Sequence, residues 1–275
     1  MEGTKVAIVT GGNKGIGLAI VKALCKQFDG DVFLTSRNDD RGKEAVKLVE
    51  SEGLKVKYHQ LDIDDENSIK KLYDFIKDTY GGVDVLVNNA AIAFKNKDPT
   101  PFGEQAKVTL ATNFYSNLNM YKTMIPIVRP NGRVVNISSF VSQMALKKCS
   151  LELQKEFRSD SITEKQLKNR MEEFVSLAQD GKHESHGFPN SAYGVSKIAV
   201  TVMTRIHARM LRDSGRNDVL LNAADPGWVR TDMAGQNALK SPEEGADTPV
   251  YLALLPPGTS TPHGELVSDR KIQEW

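Results

Sequence analysis

The sequence predicts an α/β fold in which one doubly wound parallel sheet is covered by helices on both faces. Three observations predict it: short apolar runs alternate with helical repeats from the first residues, the connections are mostly short, and no internal repeat or low-complexity linker interrupts the 275 residues. A strand followed by a helix, repeated many times, brings each new strand back in the same direction, which makes the sheet parallel.

Val6-Ala7-Ile8-Val9 is a continuous apolar run, the pattern of a strand buried on both faces. A glycine-rich turn follows, then Ile16, Ile20, Ala23 and Leu24 at helical spacing. Val32 to Leu34 forms the second strand, and Ala45, Leu48 and Val49 mark its helix. The third strand is expected over Val56 to Ile63, before a helix with Ile69, Leu72, Tyr73 and Ile76 on one stripe. Val83 to Val87 is the fourth strand, one long helix runs from about Pro101 to Val128, and Arg133 to Ile137 is the fifth strand. Ala192 to Leu211 is a helix and Val219 to Ala223 the sixth strand. Ser241-Pro242-Glu243-Glu244 starts a helix ending near Leu255: the serine caps, the proline fits the first turn and Glu244 reaches back. Leu266-Val267 is a last short strand.

Residues 141–190, or thereabouts, break this rhythm. Thr163 with Gln166 three later resembles a cap, and Leu167, Met171, Phe174, Val175 and Ala178 follow at helical spacing. The chain is therefore read as one domain, 1–275, carrying an inserted helical subdomain before the Ala192 helix.

The 36 basic and 35 acidic residues leave a net charge of +1. A duplex-binding protein carries a marked basic excess or patch, so nucleic acid is not an expected partner. Cys25 and Cys149 lie far apart without ligand spacing, which predicts no metal site and a reducing compartment. Met1-Glu2-Gly3-Thr4 runs into the first strand without a charged-then-apolar leader, and no apolar run approaches the roughly 18 residues of a membrane span. The expectation is a cytoplasmic protein with no membrane partner.

Ligands of such sheets bind beyond the carboxyl ends of the strands, so chemistry is sought there. Thr10-Gly11-Gly12-Asn13-Lys14-Gly15-Ile16-Gly17 joins the first strand to its helix. Gly11 permits the tight turn, Gly15 lets backbone approach a pyrophosphate, and Gly17 permits close helix–strand packing. Asn13, Lys14 and Ile16 complete a cradle at a helix N-terminus, whose N–H groups favour phosphate. This is the mark of a Rossmann-type dinucleotide site. Where NAD-binding folds place an acid at the end of the second strand, this chain has Ser36-Arg37. A guanidinium pairs with a 2′-phosphate that a carboxylate repels, and Lys14 can add a second cation, so NADPH is the expected cofactor. Asp62 and Ile63 end the third strand, where Asp62 can accept from the adenine amino group, and Asn89, Ala90 and Ala91 end the fourth, where small residues let backbone contact the cofactor; strand-end capping is the alternative reading of each.

Tyr193 and Lys197 stand four residues apart, on one helix face. A phenol titrates at about 10, and a neighbouring ammonium pulls that value down. Ser139, at the end of the fifth strand, can donate to a substrate carbonyl. Asn113, in the long helix, can hold a water that feeds protons toward Lys197.

The glycine turn, Asn88-Asn89-Ala90-Ala91, Asn113, Ser139, Tyr193 with Lys197, and Pro226-Gly227 resemble, in that order and over essentially the whole chain, the short-chain dehydrogenase/reductase family. Gly11 to Ile20, His59 to Asp65, Asp98 to Phe102, Pro226 to Ala234 and Ser241 to Pro257 are similar to its vertebrate monomeric carbonyl-reductase branch. The resemblance implies hydride transfer from NADPH to small-molecule carbonyl compounds: ketones, aldehydes, quinones, and steroid ketones. Tyr193 would protonate the oxygen, Lys197 bind the ribose and lower the phenol's pKa, Ser139 position the carbonyl, and Asn113 support a water relay. Pro226, Gly227, Val229 and Thr231 would flank the nicotinamide. Trp228 and Met233 would line the substrate pocket, with Phe94, Lys95 and Gln105 at its rim. The insert would cover the surface through which other members pair, leaving a monomer.

Ala91 stands where the family has glycine, the sixth strand ends Ala223-Ala224-Asp225 where close relatives have a pair of cysteines before Pro226-Gly227, and Gln143 with the Phe140-Val141-Ser142 loop also departs. Two other readings share these residues: a dedicated hydroxysteroid dehydrogenase of the 20β type, and a non-catalytic NADPH sensor. A sensor usually lacks part of the tetrad, and all four residues are present.

Overall fold

The computed structural model describes residues 3–95 and 97–275; Met1 and Glu2, which belong to the N-terminal segment considered above, lie outside them. Eight strands form one sheet in the order β3-β2-β1-β4-β5-β6-β7-β8. They are β1 (Val6–Val9), β2 (Asp31–Ser36), β3 (Lys57–Gln60), β4 (Val83–Asn88), β5 (Val128–Ile137), β6 (Leu220–Asp225), β7 (Leu266–Ser268) and β8 (Lys271–Ile272). All pairs are parallel except β7 with β8. The order reverses between β1 and β4, and the crevice at such a switch point is where an open sheet takes its ligand.

β1 shows why the layers form. Ala7 and Val9 face a core shared with α1 (Gly15–Gln27), α2 (Asp39–Ser51) and the later helix Pro242–Ala253. Val6 and Ile8 face the opposite core, with α3 (Glu66–Tyr80) and the Asn117–Met124 helix. Side chains alternate across a strand, so a strand covered on both faces must be apolar at every position.

Several bounds differ from those the sequence predicts. β3 ends at Gln60 because its partner β2 ends at Ser36; the Leu61 N–H still donates to the Ser36 carbonyl at 3.0 Å, and Asp62 and Ile63 run on beyond that pairing. The single long helix is α4 (Phe102–Leu110), a π-helical turn at Ala111–Ser116, α5 (Asn117–Met124) and a 3-10 turn at Ile125–Ile127. β5 begins at Val128, five residues early, and bends at Asn131, whose φ is 60°. The short β8 has no apolar signal; it exists through its pairing with β7.

The insert comprises α6 (Phe140–Lys148), α7 (Leu151–Arg158) and α8 (Glu164–Gln179), ahead of α9 (Ala192–Asp213). α8 opens with a full capping box between Thr163 and Gln166. Its Leu167, Met171 and Phe174 are wholly buried in a core shared with α4 and α9. Burial at that level contributes roughly 1.5–3 kcal/mol per side chain. The last helix is α10 (Pro242–Ala253).

Glu164, the first residue of α8, ties the insert to the body. It accepts from Lys122 Nζ of α5 at 2.5 Å and from His207 Nε2 of α9 at 3.1 Å, and His207 stacks on Tyr121 with ring centroids 3.7 Å apart. The bond from His207, and then the Lys122 ammonium, pull the Glu164 carboxyl down to about 2. A carboxyl whose folded pKa is depressed stabilises the fold above its unfolded value of 4.5, and loses that contribution as pH falls toward 2. We therefore expect Glu164→Gln to be less stable than wild type at pH 7, with the gap in urea midpoint narrowing steadily between pH 5 and pH 3. A gap independent of pH would contradict this assignment.

Candidate active site

The carboxyl ends of β1, β4, β5 and β6 bring the predicted residues to one edge of the sheet. At β1, Thr10 Oγ1 accepts from the backbone N–H groups of Asn89 and Ala90, both at 2.9 Å. Asn89 Nδ2 returns the tie, donating to the carbonyls of Thr10 at 2.9 Å and Gly11 at 3.2 Å. Thr10 was not anticipated as a site residue, and the Asn89 side chain proves to be a brace for the glycine turn. Gly11 and Gly15 have φ of 62° and 55°, which favour glycine. At Gly17 a Cβ would lie 2.3 Å from the Gly11 carbonyl oxygen and 2.5 Å from Asn89 Nδ2. No side chain caps α1, so its first-turn N–H groups are left for an anion.

Arg37 follows β2 on the surface, and its guanidinium has no hydrogen-bond or ion-pair partner among the described residues. Asp39, whose charge would oppose a phosphate there, is paired with Lys43 at 2.5 Å. Lys14 Nζ pairs with Asp232 at 2.8 Å, and both are exposed. Asp62 Oδ1 accepts from the Asp64 N–H at 3.1 Å, while the Ile63 side chain is buried in the core and leaves its backbone for the edge. Ala91 is absent from the non-glycine residues with positive φ, so its methyl group causes no backbone strain. A cradle with no room for a Cβ, an uncapped helix start and an unpaired guanidinium together fit a dinucleotide carrying a 2′-phosphate.

On α9, Lys197 is only 2% exposed and its Nζ donates to the Ile137 carbonyl at the end of β5, at 2.7 Å. Burial pulls this ammonium down to about 8. The Tyr193 phenol moves the other way. Burial pushes it up to about 12, while the nearby Ser139 hydroxyl lowers it and the Asp225 charge raises it. The expected depression of the phenol by Lys197 is absent from this arrangement. Nζ is committed to Ile137 and stands 5.5 Å from the Tyr193 ring centroid, over the ring.

Ser139 also caps α6, accepting from the Val141 N–H at 3.1 Å. Asn113 lies in the π turn, fully buried. Its Oδ1 accepts from the Ile92 N–H at 2.8 Å, and its Nδ2 donates to the Ile92 carbonyl at 2.9 Å and to Ser196 Oγ at 3.0 Å. Its side chain is thus a clamp between the β4 loop and α9, and the water-holding role expected of it has only the backbone carbonyl left. One lone pair of that carbonyl accepts from Asn117 Nδ2 at 2.8 Å; the other can take a water. Ser196 was missed, although a hydroxyl between Tyr193 and Lys197 was visible in the sequence.

β6 ends in Asp225, and Pro226, Gly227 and Val229 follow. Gly227 has φ 79°, and Val229 is buried. Thr231 reaches the glycine turn: its Cγ2 lies 3.1 Å from where a Cβ on Gly15 would stand. Trp228 and Met233 are 44% and 43% exposed, a large amount for apolar side chains beside a polar crevice. Lys14, and more weakly Lys95, hold the Asp232 carboxyl below its ordinary value. The Gln105 amide donates to the Thr100 carbonyl at 2.8 Å. Among the described residues no His, Cys, Asp or Glu cluster has metal-binding form, and no helix is long and apolar enough to cross a membrane.

Residues 5–151 match the short chain dehydrogenase family. Over 98% of its length and 98% of the relative's, the chain is 59% identical to carbonyl reductase (NADPH) 1 of Rattus norvegicus. It is 57% identical to carbonyl reductase (NADPH) 1 of Homo sapiens, covering 100% of this chain and 99% of that one. The structure of salutaridine reductase from Papaver somniferum superposes with a TM-score of 0.85 at 29% identity, covering 96% of this chain and 99% of that one.

The contact between Gly17 and Gly11 yields a direct test. In Gly17→Ala the added methyl would overlap the Gly11 carbonyl, so the cradle must open. NADPH binding, followed by fluorescence, is expected to weaken by about tenfold or more, while far-UV circular dichroism stays native. Unchanged affinity would show that the turn is not where the phosphates sit.

Proposed function

The chain belongs to the short-chain dehydrogenase family, and from that premise we propose that it is an NADPH-dependent carbonyl reductase whose proton donor is Tyr193. The observation that carries the proposal is the meeting of Tyr193, Ser139 and Lys197 at the ends of β5 and α9, on the same sheet edge as the glycine turn. The relatives at 57–59% identity, both carbonyl reductases using NADPH, support it.

The glycine turn from Gly11 to Gly17 with Asn13 and Ile16 would hold the pyrophosphate, and Arg37, with Lys14, the 2′-phosphate. Asp62, Ile63, Asn89, Ala90 and Ala91 would flank adenine and ribose, and Pro226, Gly227, Val229 and Thr231 the nicotinamide. NADPH, when bound, supplies the hydride. Ser139 Oγ orients the substrate carbonyl, and the Tyr193 phenol gives its proton to the oxygen as the carbon is reduced. A phenol near 12 is fully protonated at neutral pH, the form that reduction needs. Lys197, donor-rich and buried beside it, has N–H groups to offer the ribose.

Exposed Trp228 and Met233 supply an apolar mouth suited to bulky ketones, quinones and steroid ketones, with Phe94 and Lys95 on its far side. A dedicated 20β-type hydroxysteroid dehydrogenase would use the same residues, and relative turnover of steroid and quinone distinguishes it. α7 and α8 pack on α9 and α4, and their cover over α9, the helix through which many members of the family pair, supports a monomer. Two free thiols suit the cytoplasm.

Tyr193→Phe is expected to lose about 10²–10⁴-fold in the rate of NADPH oxidation with a quinone, an aromatic ketone and a steroid ketone, while still binding NADPH. Retained turnover would sink the mechanism, and binding without turnover in wild type would favour a sensor. Arg37→Ala should raise the KM for NADPH about tenfold or more and leave that for NADH unchanged, since it removes a charge-assisted bond to the 2′-phosphate alone. Light scattering should give the mass of one chain; a stable tetramer would reject the role given to the insert.

A further inference from the structure

Asp64 lies between β3 and α3. Its Oδ2 accepts from Thr112 Oγ1 at 3.0 Å and its Oδ1 from Ser116 Oγ at 2.6 Å. Thr112 and Ser116 are buried, whereas Asp64 lies at the surface. Among the described residues its carboxylate forms no ion pair, so its work is to hold these two hydroxyls. Ser116 has one hydroxyl hydrogen and two acceptors in reach, Asp64 and the Ala111 carbonyl at 3.0 Å. The charged acceptor at the shorter distance takes it.

Thr112 and Ser116 stand on either side of Asn113 in the π turn at Ala111–Ser116. A π turn is rare inside an α-helix, and this one is gripped on both flanks by a single carboxylate from another element. Asn113 passes the placement on. Its Nδ2 donates to Ser196 Oγ at 3.0 Å, and Ser196 Oγ donates to the Tyr193 carbonyl at 2.8 Å. Hydrogen bonds and one peptide link thus run without a gap from a surface carboxylate to the first turn of α9.

We propose that Asp64 is a positioning residue. By holding the hydroxyls on both flanks of Asn113 it fixes the π turn, and through Asn113 and Ser196 it fixes the turn of α9 on which the Tyr193 phenol is mounted. This rests on the reductase reading above. The Asp64 N–H also donates to Asp62 Oδ1 at 3.1 Å, on the adenine side. That bond comes from the backbone, so a change of side chain leaves Asp62 tied and isolates the grip on the π turn.

The test compares wild type with Asp64→Ala, Asp64→Asn, Ser116→Ala and the double variant Asp64→Ala/Ser116→Ala. Glu66→Ala is the control, since it removes a neighbouring bond on the same seam, from Asn119 Nδ2 at 3.2 Å. Three quantities are read: the single-turnover rate of NADPH oxidation with an aromatic ketone, NADPH affinity by fluorescence, and amide hydrogen exchange over residues 111–117. Asp64→Ala should slow the single turnover about tenfold and quicken the exchange, while NADPH affinity stays within about twofold. Asp64→Asn keeps an oxygen for a hydroxyl and should recover most of the rate. Ser116→Ala should reproduce part of the loss, and the double variant should lose less than the two single losses multiplied. Glu66→Ala should turn over as wild type does. An unchanged rate or unchanged exchange in Asp64→Ala would overturn the proposal. So would an equal slowing in Glu66→Ala, which would show a packing effect of the seam, or a loss confined to NADPH affinity, which would place the effect at the adenine. Failure of the reductase reading is seen separately, as turnover that survives Tyr193→Phe.

Discussion

A lysine ammonium that is almost fully buried has few ways to be stable. At Lys197 the solution is a 2.7 Å hydrogen bond to the carbonyl that ends β5. That one contact sets the height of α9 against the sheet, and Tyr193, one turn earlier, is carried to Ser139 at the next residues of the same strand end. Burial weakens the ammonium's hold on its proton and strengthens the phenol's, so the two groups are moved in opposite directions from their ordinary values. A more exposed lysine would be a surface charge, and the tyrosine would lose its neighbour.

The opposite wall of the crevice is held by close approach rather than by charge. Thr10 and Asn89 stitch the ends of β1 and β4 together, and Gly17 lets α1 descend until only hydrogen separates it from the Gly11 carbonyl. Asn113 connects this wall to α9 through Ile92 and Ser196. The π turn around it places in mid-helix a residue whose amide side chain bridges two elements. Glu164 performs the equivalent task for the insert, from the far side of α9.

Much of this architecture is legible in the amino-acid sequence. The apolar alternation of β1, the spacing of α9 and the box at Ser241 each depend on local pattern, and each element stands where that pattern puts it. The misreadings share a cause, which is that pairing lies outside the local sequence. Asp62-Ile63 looks like strand but runs past the end of β2, Lys271-Ile272 looks like loop but has a partner strand, and a π turn preserves the apolar rhythm of an α-helix. At the site, residue types and order identify Tyr193, Lys197, Ser139 and Asn113 as candidates. Their electrostatics are not legible in the same way. The rise of the phenol follows from burial and from a carboxylate on a neighbouring strand, and a spacing of four residues reveals neither.

The central claim is that burial against Ile137 poises Lys197 near neutrality. Its side-chain pKa can be read directly by carbon NMR of enzyme labelled at the lysine ε-carbon, with Lys197→Met to assign the resonance. The account predicts a titration midpoint at about 8, well apart from the surface lysines. A midpoint at the ordinary value of 10.5 would contradict it, since burial would then not be weakening the ammonium's hold on its proton.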